Sequence, residues 1–195
     1  MQYRVVKNGI FKSIQGEGHN VGRNAIFIRL AGCNMMPRCS FCDEHFDEYI
    51  IMTEEEIFKK VKQLSPSNFI VITGGEPTIQ KLKKLVKKLQ KNGYIVTLET
   101  NGMLKPDCEF DWVTCSPKTD DLEQQQVDEL KFVVDKDKDK MLHFIERIKE
   151  NVSSRYVYLQ PKSNEIKNIQ TALEIISDNP EYRLSVQLHK IIGIL

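Results

Sequence analysis

Short runs of β-branched and aromatic residues alternate with amphipathic segments along most of the chain. Ala25–Leu30 (AIFIRL), Phe69–Thr73 (FIVIT), Tyr94–Glu99 (YIVTLE), Trp112–Cys115, Leu130–Val134, Tyr156–Gln160 and Arg183–Gln187 have the length and the Val, Ile, Phe and Tyr content of strands. Helices are predicted between several of them. Thr53-Glu54-Glu55-Glu56 reads as a capping box, in which Thr53 accepts from the third helical amide and Glu56 reaches back. The stretch Ile79–Lys91 places Ile79, Leu82, Leu85, Val86 and Leu89 on one stripe and stops at Asn92-Gly93. Asp139–Glu150 and Glu165–Ser177 repeat the pattern. Strand–helix alternation with nearly continuous apolar strands predicts an α/β fold, a parallel sheet with helices outside. No internal repeat or linker divides it, so a single domain over residues 1–195 is expected.

Composition narrows the class. Of 195 residues, 41% are hydrophobic and 28% charged, enough to bury a core and too apolar for a disordered chain. Twenty-eight Lys and Arg against twenty-seven Asp and Glu leave a formal charge of +1, which argues against a nucleic-acid binder that works by neutralising phosphates. No apolar run approaches the roughly 20 residues that span a bilayer, and the N-terminal MQYRVVKNGIFKSIQGEG lacks the apolar core of a signal peptide. A cytoplasmic protein without membrane contact is expected. The lysines at 81, 83, 84, 87, 88 and 91 read as the solvated face of one helix, without the interleaved aromatics of a nucleic-acid platform.

Polar tetrads follow the predicted strands: Ala31-Gly32-Cys33-Asn34, Thr73-Gly74-Gly75-Glu76, Glu99-Thr100-Asn101-Gly102, Ser116-Pro117-Lys118 and Gln160-Pro161. Parallel α/β folds build their sites at the carboxyl ends of strands. Each tetrad alone is an ordinary turn; five at one edge, each with an ionisable or hydrogen-bonding group, favour a site.

Five cysteines in a chain without secretion signals argue for metal or redox chemistry. Cys33, Cys39 and Cys42 crowd into ten residues, whereas Cys108 and Cys115 read as semi-buried thiols. Three thiolates hold an iron–sulfur cluster with one iron left open for a ligand, since a closed electron-transfer cluster takes four. Cys33-x5-Cys39-x2-Cys42-x2-His45 also offers the Cys₃His set of a structural zinc site. Both alternatives stand on spacing.

Gly32-Cys33-Asn34, Cys39-Ser40-Phe41-Cys42-Asp43 and Gly74-Gly75-Glu76-Pro77 together resemble the radical S-adenosylmethionine (SAM) superfamily, in which an aromatic residue usually precedes the third cysteine, as Phe41 does. Within it, Ser13-Ile14-Gln15-Gly16-Glu17-Gly18, Phe27–Asn34, Glu99–Gly102, Ser116-Pro117-Lys118, Leu159-Gln160-Pro161 and Arg183-Leu184-Ser185-x-Gln187-x-His189-Lys190 occur in an order similar to that of the 7-carboxy-7-deazaguanine synthases, over nearly the whole chain.

The resemblance implies a truncated, open TIM-type (β/α) barrel in a homodimer, with a [4Fe–4S] cluster, SAM and Mg²⁺. It implies conversion of 6-carboxy-5,6,7,8-tetrahydropterin to 7-carboxy-7-deazaguanine with loss of ammonia, on the path to queuosine-type deazapurines, served by a flavodoxin- or ferredoxin-type electron donor. Cys33, Cys39 and Cys42 would ligate the cluster. Phe41, Asp43, Gly75, Ser116, Pro117, Lys118 and Gln160 would hold SAM. Ile14, Gln15, Gly16, Glu17, Thr73 and Glu99 would meet the pterin, where carboxylates suit an edge of N–H donors. Arg29 and His189 would meet the substrate carboxylate, and Leu195 would close the pocket with its own carboxylate. Two positions depart from the common pattern. The first cysteine interval is five residues rather than three, and Glu44 stands where many members carry a threonine that ligates magnesium. A glutamate is also a hard oxygen ligand, so Glu44 is expected to touch the metal directly or through water. The rival classes are a structural-zinc Cys₃His binding module, an iron–sulfur electron carrier, and another radical SAM activity such as a glycyl-radical activase. Zinc leaves Gly74-Gly75-Glu76 and the Gln15/Glu17 pair unexplained, and three cysteines are too few for the carrier.

Overall fold

The computed structural model describes residues 1–42, 46, 48–64 and 66–194. The chain gathers into two compact units. One comprises Met1–Ile14, Arg23–Thr100 and Leu104–Val113; the other comprises Gln15–Gly22, Asn101–Met103 and the chain from Thr114 onward.

The first unit contains β1 (Gln2–Ile14), β2 (Asn24–Leu30), β3 (Tyr49–Thr53), α1 (Glu54–Gln63), β4 (Phe69–Gly74), α2 (Lys83–Lys91) and β5 (Ile95–Thr100), with strands in the order β3-β1-β2-β4-β5. β2, β4 and β5 run parallel, in registers that pair Ile28 with Ile72 and Ile72 with Leu98. Ile26, Ile28, Leu30, Ile70, Ile72, Val96 and Leu98 pack on Ile57 and Val61 of α1 and on Leu82, Leu85, Val86 and Leu89 around α2. The opposite face carries Ala25, Phe27, Phe69 and Val71. Alternate strand residues face opposite sides, so both faces are apolar and the strands read as continuous hydrophobic runs.

The second unit contains the end of β6 (Trp112–Cys115), then β7 (Gln126–Val134), α3 (Lys138–Asn151), β8 (Ser153–Pro161), α4 (Ile166–Asp178), β9 (Tyr182–Leu184) and α5 (Leu188–Ile192). The order β6-β7-β8-β9 is parallel throughout. Leu130, Phe132 and Val134 are buried with Met141, Ile145 and Ile148 of α3 and with Ala172 and Ile175 of α4, and Phe132 meets Phe144 edge-to-face at 5.9 Å.

The Thr53 capping box forms as expected: the Thr53 amide donates to Glu56 Oε2 at 2.7 Å and the Glu56 amide to Thr53 Oγ1 at 3.3 Å. Four expectations need correction. The segment expected as one helix from Ile79 is a 3₁₀ turn, Pro77–Ile79, followed by α2 from Lys83. The Gln80 side chain is drawn away to Arg4 and Ala31, and Asp107 Oδ1 accepts from the Leu82 and Lys83 amides at 2.8 and 3.1 Å, starting the helix there. The strand expected to run to Gln187 ends at Leu184, because the Gln187 amide donates to Asn164 Oδ1 and the Leu188 amide to the Gly16 carbonyl. β1 and β3 were not expected as strands. Lys7-Asn8-Gly9 looks like a turn, yet Asn8 takes φ 59° inside β1, where the register with β2 shifts between Val5 and Ile10. Both β1 pairings are antiparallel, so the sheet is mostly rather than wholly parallel. Among the described residues no helix is long and apolar enough to cross a membrane.

Candidate active site

In the first unit the expected site residues stand at the carboxyl ends of three parallel strands. Arg29 pairs with Thr73 in the β2–β4 register, and Glu99 lies one residue beyond the Ile72–Leu98 pair. Alternation puts all three on the face of Phe27 and Val71, away from α1 and α2. Arg29 sits over the Phe11 ring at 5.3 Å.

The loop after β2 carries the thiols. Cys33 and Cys39 are half-buried, Cys42 is exposed, and all three are unbridged. The Cys42 amide donates to the Cys39 carbonyl at 3.0 Å, closing the turn between them. The Met35 amide points at Cys33 Sγ, 3.5 Å away, as N–H groups do toward cluster sulfurs. Burial pushes the Cys33 thiol above its ordinary value; the Met35 amide opposes this, while the negative potentials of Glu76, Cys39 and Cys42 add to it. A thiol held protonated by its surroundings is one that a metal's positive charge would ionise on binding. Among the described residues, no three Cys, His, Asp or Glu side chains already form a metal-holding group. A cavity of about 370 Å³ opens beside Cys33, with Arg4 and Arg38 on its wall; such cations suit the net negative charge of a thiolate-bound cluster.

The Gly74-Gly75-Glu76-Pro77 turn lies against this loop. The Gly75 amide donates to the Leu30 carbonyl at 3.1 Å and the Glu76 amide to the Gly32 carbonyl at 2.8 Å. Glu76, 1% exposed, accepts from the Thr78 amide and hydroxyl and from the Thr100 hydroxyl, at 3.1, 2.7 and 2.7 Å. Its carboxylate ties the turn to the end of β5, which assigns it a holding role.

In the second unit, loop 15–22 is held from two directions. Lys131 on β7 donates to Glu17 Oε2 at 2.7 Å, and Gln187 donates to Glu17 Oε1 at 2.9 Å. Burial alone would raise the Glu17 carboxyl, but the charge and hydrogen bond of Lys131, with help from Gln187 and His189, hold it at about 2. Gly16 is pressed to His189: a β-carbon there would meet His189 Nδ1 at 2.3 Å. The Gly18 amide donates to Ser185 Oγ at 2.8 Å, and that hydroxyl donates to Gln160 Oε1 at 3.2 Å. Gln160, an expected SAM residue, is thereby linked to the expected pterin loop. Lys118 Nζ donates to both the carbonyl and the hydroxyl of Ser116, at 2.8 and 2.7 Å.

The radical SAM superfamily model matches residues 27–172. The 7-carboxy-7-deazaguanine synthase of Bacteroides thetaiotaomicron is 37% identical over 96% of this chain and 97% of its own. That of Neisseria meningitidis serogroup B is 36% identical over 99% and 94%. This chain belongs to the 7-carboxy-7-deazaguanine synthase family of radical SAM enzymes. The crystal structure of QueE from Escherichia coli is similar with a TM-score of 0.83 and 28% identity, covering 97% of this chain and 95% of that one. The open α/β barrel class expected from the sequence stands. Membership in a radical SAM family brings a [4Fe–4S] cluster and SAM, and decides against the zinc module and the closed electron carrier.

Sequence reasoning gave no role to several residues around the expected pterin loop, although Ser185 and Gln187 lie in the Arg183–Lys190 motif. Lys131, Glu129, Ser185 and Gln187 hold the 15–22 loop; Glu129 Oε2 accepts from the His19 amide at 3.0 Å. One signal was available. Glu129 and Lys131 interrupt an apolar strand two residues apart, hence on one face. Arg29 and His189, expected to meet one carboxylate, belong to different units. Ile14 ends β1 in the first unit, and Pro117 stands between Ser116 and Lys118 in the second. Phe41 is described, whereas Asp43, Glu44, His45 and Leu195 lie outside the described residues.

Proposed function

We propose that the chain converts 6-carboxy-5,6,7,8-tetrahydropterin to 7-carboxy-7-deazaguanine with release of ammonia, in the biosynthesis of queuosine-type 7-deazapurines. The observation that carries this reading is the Gly-Gly-Glu-Pro turn bonded to the thiol loop, with the Glu76 amide on the Gly32 carbonyl one residue before Cys33. Cys33, Cys39 and Cys42 hold the cluster through three of its irons. When bound, the cluster and SAM supply a reductively generated radical that takes a hydrogen atom from the substrate. SAM is held by Phe41, Asp43, Gly75, Ser116, Pro117, Lys118 and Gln160. Missing side chains at the Gly-Gly turn let the ligand's ammonium approach backbone carbonyls.

The pterin is recognised by Gln15, Glu17, Thr73 and Glu99, with Ile14 and Gly16 shaping the loop. Carboxylates accept from the ring's N–H and amino donors. Arg29 grips the substrate carboxylate bidentately, and His189 assists. Glu44 would hold Mg²⁺, directly or through water, as a hard oxygen ligand.

The protein works as a homodimer, receives electrons from a flavodoxin- or ferredoxin-type donor, and resides in the cytoplasm, where its five free thiols stay reduced. Ile50 and Ile51, exposed on the outer strand β3, support self-association. The test is anaerobic reconstitution followed by incubation with the carboxypterin, SAM and reductant. A brown protein with a broad band near roughly 400 nm and formation of the deazaguanine acid are expected; a colourless, zinc-loaded protein overturns the reading. Turnover that is magnesium-dependent in the native chain and changed in that dependence by Glu44→Ala supports the metal assignment. An unchanged rate and unchanged dependence refute it.

A further inference from the structure

β7 is the strand on which charge is least expected. Leu130, Phe132 and Val134 face the helices, and Glu129 and Lys131, 1% and 4% exposed, face the other way. A buried ammonium is costly unless paired, so its partner is informative. One such partner is Glu17, 114 positions away in sequence, at 2.7 Å. Among the described residues, Lys131 donates to Oε2 and Gln187 to Oε1, and a carboxylate oxygen with one donor keeps a lone pair for a ligand donor. Glu129 grips the same loop two residues further on, through the His19 amide.

We propose, on the basis of the pterin-synthase reading above, that Lys131 is a positioning residue for substrate recognition: its ammonium keeps the Glu17 carboxylate charged and orients its open lone pairs toward the N–H donors of the pterin. Lys131 acts through Glu17 and touches neither substrate nor cofactor. The groups that bear on the Glu17 charge are Lys131 from β7 and Gln187 and His189 from the C-terminal segment; Glu129 of β7 meets the same loop at the His19 amide, and His19 Nδ1 lies 3.4 Å from the Tyr158 hydroxyl of β8. Of these, Lys131 supplies the largest interaction holding Glu17 ionised. Without it, burial is left to dominate, and Glu17 takes up a proton that turns one acceptor into a donor facing a donor.

The test is anaerobic titration of 6-carboxy-5,6,7,8-tetrahydropterin into the cluster-loaded, SAM-bound enzyme at pH 8, 7 and 6, for the native chain, Lys131→Met and Lys131→Arg. Lys131→Met should bind the pterin roughly ten- to hundredfold more weakly at pH 6. The ratio of its Kd to the native Kd should rise toward about tenfold per pH unit below the new Glu17 pKa. His189 is common to both proteins, so the ratio removes its contribution. Lys131→Arg should restore near-native binding and flatten the ratio, and SAM affinity should stay native in all. A pH-independent ratio near one, with SAM and pterin bound normally, overturns the positioning role and leaves the pterin reading intact. A native enzyme that binds SAM but not the pterin overturns that reading itself. If Lys131→Met does not load SAM, the comparison is made with Glu17→Gln/Lys131→Met, which removes both members of the ion pair. There a pH-independent loss supports the proposal, and native pterin affinity overturns it.

Discussion

A β-carbon on Gly75 would stand 2.0 Å from the Gly32 carbonyl oxygen and 3.1 Å from the Cys33 β-carbon. The Gly-Gly-Glu-Pro turn therefore touches the residue preceding the first cluster thiol, with no room for a side chain. Gly75→Ala must push Gly32 and Cys33 aside. We expect iron incorporation to fall sharply on reconstitution, together with a stability loss of about 1–3 kcal/mol from overpacking, read by iron assay and denaturant melts. Full iron content in this variant would show that the contact does not set the thiol loop.

The three loop thiols and the two distant ones should separate cleanly. Cys33→Ala, Cys39→Ala and Cys42→Ala are each expected to abolish SAM cleavage and the absorption of the cluster. Cys108→Ala should leave both near native, since burial pushes that thiol up to about 11 and keeps it protonated and inert. Cys115, 0% exposed, should behave alike apart from a modest loss of stability. SAM cleavage at the native rate in any of the first three variants would remove that cysteine from the ligand set.

The Glu17–Lys131 pair should mark the acid stability of the apoprotein. The folded Glu17 sits near 2 against an ordinary 4.5. A depressed carboxyl contributes stability above about pH 5, and that contribution is lost as pH falls toward 2, by about 3 kcal/mol in all. Glu17→Gln takes the Glu17 counter-charge away from a buried ammonium and should cost about 3–5 kcal/mol at pH 7. Glu17→Gln/Lys131→Met should recover much of that. Urea denaturation at pH 7 and pH 3 reads both effects, and additive losses in the double variant would contradict the coupling.

Asp107 should act on α2 alone. It accepts from the Leu82 and Lys83 amides, so Asp107→Ala exposes two helix-start donors and is expected to cost about 0.5–2 kcal/mol. Cluster absorption and SAM affinity should stay native. A change in either, measured beside thermal melts, would connect this helix start to the site.

Much of this architecture could be read from periodicity. β2, β4 and β5 announced themselves because both of their faces are apolar, and the Thr53 box because its spacing has a mechanism. β1 escaped because the Asn8 bulge looks like a turn, and the start of α2 because its cap comes from Asp107, 24 residues away from Lys83. In the site, the thiols and glycines were legible as motifs. Lys131 was not, and the tie of Ser185 to Gly18 did not show within its motif, because their roles depend on partners more than a hundred positions distant, a relation that local pattern does not carry.

The loop at 15–22 takes its ties from Lys131, Ser185, Gln187 and the Leu188 amide, all of which are synthesised long after it. During translation, Glu17 leaves the ribosome early, meets Lys131 only 114 positions later, and gains its remaining ties once residues 185–188 follow. Pterin affinity should therefore arise late and abruptly on the growing chain, after the first unit already has every residue of its sheet.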